Sequence, residues 1–156
     1  MIMDNFSYKA LEELKNYVYC LVDPTDNKIF YIGKGQNNRV FDHAKAALNE
    51  TDNSLKLEKI RSIICNGLDV KYYIIRHNLD VETAFILEST LIDLVSYKDF
   101  NTELLLTNIQ SGHHQWNEGI KTVDEIEQMY ASEELMPKDC EERLFRVKLN
   151  QTVYNK

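Results

Sequence analysis

Tyr19 lies in the run Tyr17-Val18-Tyr19-Cys20-Leu21, Tyr31 in Phe30-Tyr31-Ile32-Gly33-Lys34-Gly35, and Arg39 and His43 follow at positions four apart. Much later comes Glu88, set among Ala84, Phe85, Leu91, Ile92 and Val95 at helical spacing, so its carboxylate belongs to the face that should be buried. A charge there is costly unless it is paired or binds a metal. Either Lys or Arg neutralises it, or the helix turns Glu88 to the rim, or it holds a cation. A single hard oxygen ligand suits Mg²⁺ or Mn²⁺, which keep most of their waters and take further oxygens from phosphate. Asp80 and Asp93 fall at other helical positions, which leaves a one-metal site. Arg39 offers a planar fork for a phosphate oxygen, and His43 can relay a proton or hydrogen-bond an attacking water. A free phenol, with a pKa of roughly 10, is a poor base at neutral pH, but Lys34, Arg39 and a divalent ion would each favour the phenolate. The residues are therefore suited to phosphoryl transfer. Each also has a structural alternative: hairpin tyrosines serve as packing groups, as Tyr72 and Tyr73 are expected to do, Arg39 and His43 read on spacing alone as a surface arginine and an ordinary helix histidine, Lys34 reads nearly as well as a solvated hairpin lysine, and Asn108 by residue type as a turn former.

The set resembles the catalytic core of the GIY-YIG nuclease family, over roughly Tyr17 to Asn108. Its second motif, Tyr31-Ile32-Gly33, is intact and continues as Lys34-Gly35, as in one subgroup of that family. Tyr17 stands where glycine is usual in the first motif. The resemblance implies an α+β fold with a small three-stranded antiparallel sheet flanked by helices, and a divalent-metal-dependent endonuclease that hydrolyses DNA phosphodiester bonds. It implies as catalytic residues Tyr19, Tyr31, Arg39, His43, Glu88 and Asn108. Tyr19 with His43 would activate water, Arg39 and Tyr31 would position the phosphate with Lys34 as a second contact, and Glu88 would hold Mg²⁺ or Mn²⁺. The Asn108 amide would either orient Glu88 or close a loop over the site. Two rival readings belong to other classes: a nucleic-acid-binding or regulatory module without turnover, and a protein-interaction domain working through acidic residues.

The elements that must position these side chains are legible in the pattern. Ala10, Leu11 and Leu14 predict a short helix over about 7–15, packed on a hairpin with strands near 17–22 and 28–32. The segment Asp23-Pro24-Thr25-Asp26-Asn27-Lys28 makes the turn, and Gly33 and Gly35 mark a tight or close-approach backbone where the second strand ends. Asn37 or Asn38 caps the next helix, with Val40, Ala44, Ala47 and Leu48 facing inward. Another helix spans about 54–66, carries Leu57, Ile60, Ile63 and Ile64 on one side and ends at Gly67. A strand follows over 69–76, and Asp80 caps a long helix to about Tyr97. Thr122-Val123-Asp124-Glu125 has capping-box spacing for a helix to about Ser132, and residues 144–149 alternate as a strand. The expected division is a nuclease-like core over 1–112 and an acidic appendage over 113–156. Within the appendage, adjacent His113 and His114 make a poor metal site, and Trp116 either stacks on a base or caps the core.

The chain of 156 residues suits one domain with a short appendage. Its net charge of −7 is unfavourable for a phosphate binder, because non-specific affinity for nucleic acid comes from Lys and Arg. The imbalance is local: basic and acidic residues number 11 and 11 over 1–80, but 7 and 14 over 81–156. The acid-rich stretch 125–142 reads as a solvated face, a nucleic-acid mimic or a docking face, and a partner protein or a further domain is expected to supply the affinity for DNA. Short apolar runs predict no membrane span and a cytoplasmic protein. Cys20, Cys65 and Cys140 are too scattered for a disulfide framework and are expected to be buried thiols.

Overall fold

The computed structural model describes residues 5–49, 54–100, 104–108 and 119–130. The chain divides into two compact units, Met1–Ile120 and Lys121–Lys156. In the first, helix α1 (Tyr8–Leu14) leads into the hairpin of β1 (Asn16–Val22) and β2 (Ile29–Gln36). Helices α2 (Arg39–Asn49) and α3 (Leu55–Cys65), strand β3 (Lys71–Leu79) and helix α4 (Val81–Ser96) follow. The sheet runs in the order β2-β1-β3 and is antiparallel throughout, the α+β architecture that the resemblance implies.

Strand β1 is central and buried on both faces, which organises the rest. Tyr17, Tyr19 and Leu21 point one way and pack with Val40, Phe41 and Ala47 of α2 and with Leu57, Ile60 and Ile63 of α3. Val18, Cys20 and Val22 point the other way, onto Ala84 and Ile92 of α4. Because strand side chains alternate, this one segment presents its phenols to the α2–α3 layer and its aliphatic residues to α4. Burial of each large side chain in that core stabilises the fold by about 1.5–3 kcal/mol.

The hairpin turn is held by Asp23, whose Oδ1 accepts from the Thr25 N–H at 2.8 Å and from its hydroxyl at 2.6 Å. Asn27 takes the left-handed conformation, with φ 57°. Lys59 of α3 reaches Asp23 Oδ2 at 2.6 Å, fastening the turn to that helix. Burial alone would raise the Asp23 carboxyl, but the hydrogen bonds from Lys59 and Thr25 outweigh it and hold the group down to about 2. Helix α3 ends as its Gly67 predicts. With φ 72° that residue lets Gly67 N donate to Ile64 O and Leu68 N to Ile63 O, closing a Schellman turn. Asp80 caps α4 by accepting from Thr83 N at 2.7 Å.

Three local expectations are corrected. Strand β2 does not stop near Ile32 but continues through Gly33 and Gly35 to Gln36. Gly33 pairs with Tyr19 and Gly35 with Tyr17; Gly33 leaves room for the rings of Tyr31 and Tyr19, and Gly35 for the stem of Arg39 and the ring of Tyr17. Leu48 is 68% exposed, because α2 is rotated to bury Phe41 and His43 against the tyrosine face of β1. Helix α1 lies against β3, and its Leu14 also packs on the core that includes Tyr17, Tyr19, Leu21 and Phe30 of the hairpin. Cys65 is exposed at the end of α3, whereas Cys20 is buried; Cys140 lies outside the described residues.

In the second unit the described element is α5 (Val123–Tyr130). Thr122 and Glu125 form the reciprocal cap that their spacing predicts: Glu125 Oε2 accepts from Thr122 N at 2.7 Å and Thr122 Oγ1 from Glu125 N at 3.2 Å. Asp124, Glu125 and Glu127 are exposed. The strand expected over 144–149, most of the acid-rich stretch, and His113, His114 and Trp116 lie outside the described residues. Among the described residues no helix is long and apolar enough to cross a membrane.

Candidate active site

The site grows from the pairing of β1 with β2. Tyr19 sits opposite Gly33 and Tyr31 opposite Leu21, so the two phenols lie on one face, with ring centroids 6.2 Å apart. A Cβ at Gly33 would come within 2.8 Å of Tyr31 Cε1 and 3.0 Å of the Tyr19 hydroxyl, so glycine is what allows both rings to occupy that place. Helix α2 adds His43 over the same face. Its ring is 5.2 Å from that of Tyr31, edge to face, and its Nε2 lies 2.5 Å from the Tyr19 hydroxyl.

Protonation states follow from burial. Desolvation drives His43 down from 6.5 to about 3, with the positive charges of Lys56 and Arg39 adding to the effect, so the imidazole is neutral. Desolvation likewise drives the Tyr19 phenol well above its ordinary value; Arg39 opposes the shift, while Tyr31, Tyr17 and Glu88 reinforce it. The neutral phenol and the neutral imidazole share one hydrogen bond, whose direction is set by the tautomer of His43. A phenolate held ready by neighbouring cations, the sequence expectation, is not what the protein residues alone produce: for a ring 1% exposed, desolvation outweighs one guanidinium. Tyr31 is also raised, by burial first and then by the charge of Glu88.

Arg39 opens α2 and is placed by an arrangement that residue spacing did not disclose. The expected asparagine cap is absent: the side chain of Asn38 accepts from Phe6 N at 2.8 Å. In its place the Tyr17 hydroxyl accepts from Val40 N at 3.1 Å and donates to Asn37 O at 2.9 Å, so a strand phenol caps the helix that bears Arg39 and His43. This gives a physical role to the tyrosine that replaces the usual glycine. The alternation that puts Tyr17 on the same face as Tyr19 was the available signal. Arg39 is more than half exposed, and its 3.7 Å contact with Asp42 is a weak surface pair.

Glu88 is turned toward the hairpin. Its Oε1 accepts from Lys34 N at 2.9 Å and its Oε2 lies 3.4 Å from Lys34 Nζ, with the side chain 19% exposed. Two of the three readings of this acid thus hold together: it stands at the rim, and a lysine neutralises it. Asn108 does not orient it. The Asn108 amide accepts from Ile32 N at 3.2 Å and donates to Ile32 O at 2.7 Å, while Thr107 N donates to Phe30 O at 2.7 Å. The segment closes the open edge of β2 as a short strand would, and the Lys34 N–H does the orienting. Among the described residues no three His, Cys, Asp or Glu side chains gather as a metal site. The donor set is one hard carboxylate, which fits Mg²⁺ or Mn²⁺ completed by water and substrate oxygens.

A family model described as LEM-3-like GIY-YIG domain matches residues 14–151. The chain belongs to this GIY-YIG family. The match runs from the end of α1, through every element that bears a candidate residue, and on beyond α5. No curated protein and no solved structure matches the chain. Membership makes this a domain of the nuclease class, and the arrangement of Tyr19, Tyr31, His43, Arg39 and Glu88 is the place to look for its chemistry.

Proposed function

We propose that this GIY-YIG domain is an endonuclease that hydrolyses DNA phosphodiester bonds with one divalent ion. The observation that carries the reading is the hydrogen bond from Lys34 N to Glu88 Oε1, which ties a carboxylate from α4 to the strand bearing Tyr31. Acid, phenols and imidazole come from four separate elements, and the acid at the rim of α4 faces the strand that carries Tyr31.

Tyr19 accepts a proton from the attacking water at its hydroxyl oxygen while its own proton passes to His43 Nε2. The relay avoids a free phenolate, which burial disfavours. Arg39, charged and exposed, takes a non-bridging oxygen of the phosphate as negative charge grows there. Tyr31 borders the same space and positions the phosphate, with Lys34 as a second contact. Glu88 would hold Mg²⁺ or Mn²⁺, which would supply positive charge for the 3′ oxygen that leaves. Bases need not be read, so the core is expected to show little sequence preference.

The test is incubation of the purified chain with supercoiled, linear and branched DNA in Mg²⁺, Mn²⁺ or EDTA, beside Glu88→Ala. Metal-dependent nicking by the wild type and none by the variant supports the reading. Failure to cut any of the substrates, or equal cutting by both proteins, overturns it.

A further inference from the structure

A cavity of about 310 Å³ opens where β1 begins and β2 ends, lined by Asn16, Lys34, Gln36 and Arg39 with Val81 and Ala84 from the start of α4. Strand register decides which way it faces. Gln36 pairs with Asn16 and Lys34 with Val18, and Val18 packs on α4, so these side chains share the α4 face of the sheet. Tyr19 and Tyr31 lie on the opposite face, toward α2 and α3. Arg39, whose stem lies over Gly35, borders both the cavity and the space beside His43.

Two amides in the cavity are joined by hydrogen bonds whose polarity has one solution. Leu79 O can only accept, so Asn16 turns its Nδ2 to it, at 3.0 Å. Asn16 Oδ1 then faces Gln36, which must answer with Nε2, at 2.6 Å. Gln36 Oε1 and one N–H are left over, without a partner among the described residues, and the side chain is exposed. The backbone of a DNA strand cannot satisfy that carbonyl, because its phosphate and deoxyribose oxygens only accept; the donor must come from a base. A donor beside an acceptor on one open edge is the pattern of adenine, N6–H with N7, which a glutamine amide meets with both of its polar atoms.

We infer that this cavity holds the nucleotide that departs with the leaving 3′ oxygen, and that Gln36 reads its base, favouring adenine. The inference rests on the nuclease reading and adds to it a residue that sets specificity. Its direction follows from in-line displacement: water enters beside Tyr19 and His43, so the leaving oxygen and its nucleotide lie on the far side, toward Glu88. Ala84 precedes Glu88 by one turn on the same face of α4, and Lys34, whose N–H holds Glu88, lines the cavity. Val81, exposed at that end of the helix, offers an apolar surface to the base. Hydrolysis itself needs no base contact, so the preference is confined to this one position.

The experiment is digestion of a pool of supercoiled, linear and branched DNA of randomised sequence by the full chain in Mg²⁺, with every break mapped by sequencing. Base frequencies among the breaks do not depend on the total rate, so a variant that is merely slower still gives a reading. Wild type should place adenine immediately 5′ of the break about five-fold more often than guanine or thymine, whose open edges carry no donor. Gln36→Ala should remove that preference. Gln36→Lys should move it to guanine, since an ammonium can donate to Asn16 Oδ1 and to guanine O6 or N7 alike, a change that a purely structural role would not produce. Indifference of the wild type to that base, or a preference that survives in Gln36→Ala, overturns the subsite and leaves the nuclease reading intact. A wild-type chain that nicks none of the pool overturns both.

Discussion

Gly33→Ala should damage the site without replacing a reacting group. Gly33 faces Tyr19 across the ladder, and an added Cβ would lie 2.8 Å from Tyr31 Cε1, 3.0 Å from the Tyr19 hydroxyl and 3.1 Å from Tyr19 Cζ. Ordinary contact begins near 3.4 Å, so Tyr31 must retreat by about 0.6 Å and the Tyr19 hydroxyl by about 0.4 Å. Tyr31 is partly exposed and can yield. Tyr19 is 1% exposed and already 2.5 Å from His43, so it cannot shift without changing the proton relay. Overpacking of this kind costs about 1–3 kcal/mol, and misplacement by 1 Å can cost roughly 100-fold in rate, which scales to about 10-fold here. Denaturant unfolding and single-turnover nicking measure the two effects. Gly67→Ala is the control: its φ of 72° makes alanine strained, yet nothing lies within 4 Å, so stability should fall by about 1 kcal/mol while the nicking rate holds. A Gly33→Ala chain with wild-type midpoint and wild-type rate would refute the reasoning.

Tyr17→Phe keeps the ring but leaves Val40 N–H and Asn37 C=O without their hydroxyl, so it should lower stability by about 1–3 kcal/mol; an unchanged denaturation midpoint would contradict the capping role. Stability should also fall with pH because of His43. Below 6.5 the unfolded chain takes up a proton that the folded chain refuses until about 3, so stability is complete above that window and is lost through it, by up to about 1.4 kcal/mol per pH unit. His43→Gln should flatten this slope in unfolding experiments run across the window. Lys34→Met removes the ammonium 3.4 Å from Glu88 Oε2 and should raise Mn²⁺ affinity about two- to five-fold in calorimetry, the amount expected from a partly exposed ion pair.

Much of this architecture can be read from the chain because the deciding interactions are local. Thr122 with Glu125 and Asp80 with Thr83 are neighbours on the chain, and Gly67 supplies the left-handed residue that ends α3. Glu88 stood out because a carboxylate broke an apolar helical pattern. What escaped was set by tertiary contact. The rotation of α2 that exposes Leu48, the phenol cap from Tyr17 and the edge pairing of Asn108 with Ile32 each join residues 20 or more positions apart. Lys56 gave no local signal, since only the packing of α3 on α2 brings it over Tyr31. The desolvation at Tyr19 was not legible either, because neighbouring charges are visible in a sequence but depth of burial is not.

The account turns on Glu88 holding a divalent ion beside the two phenols, and Mn²⁺ binding followed by electron paramagnetic resonance tests that directly. Wild-type protein should take up a single ion per chain, over the same concentration range that activates nicking, and Glu88→Gln should take up none in that range. Equal uptake by the two proteins, or nicking by wild type at concentrations where no ion is bound, would contradict it.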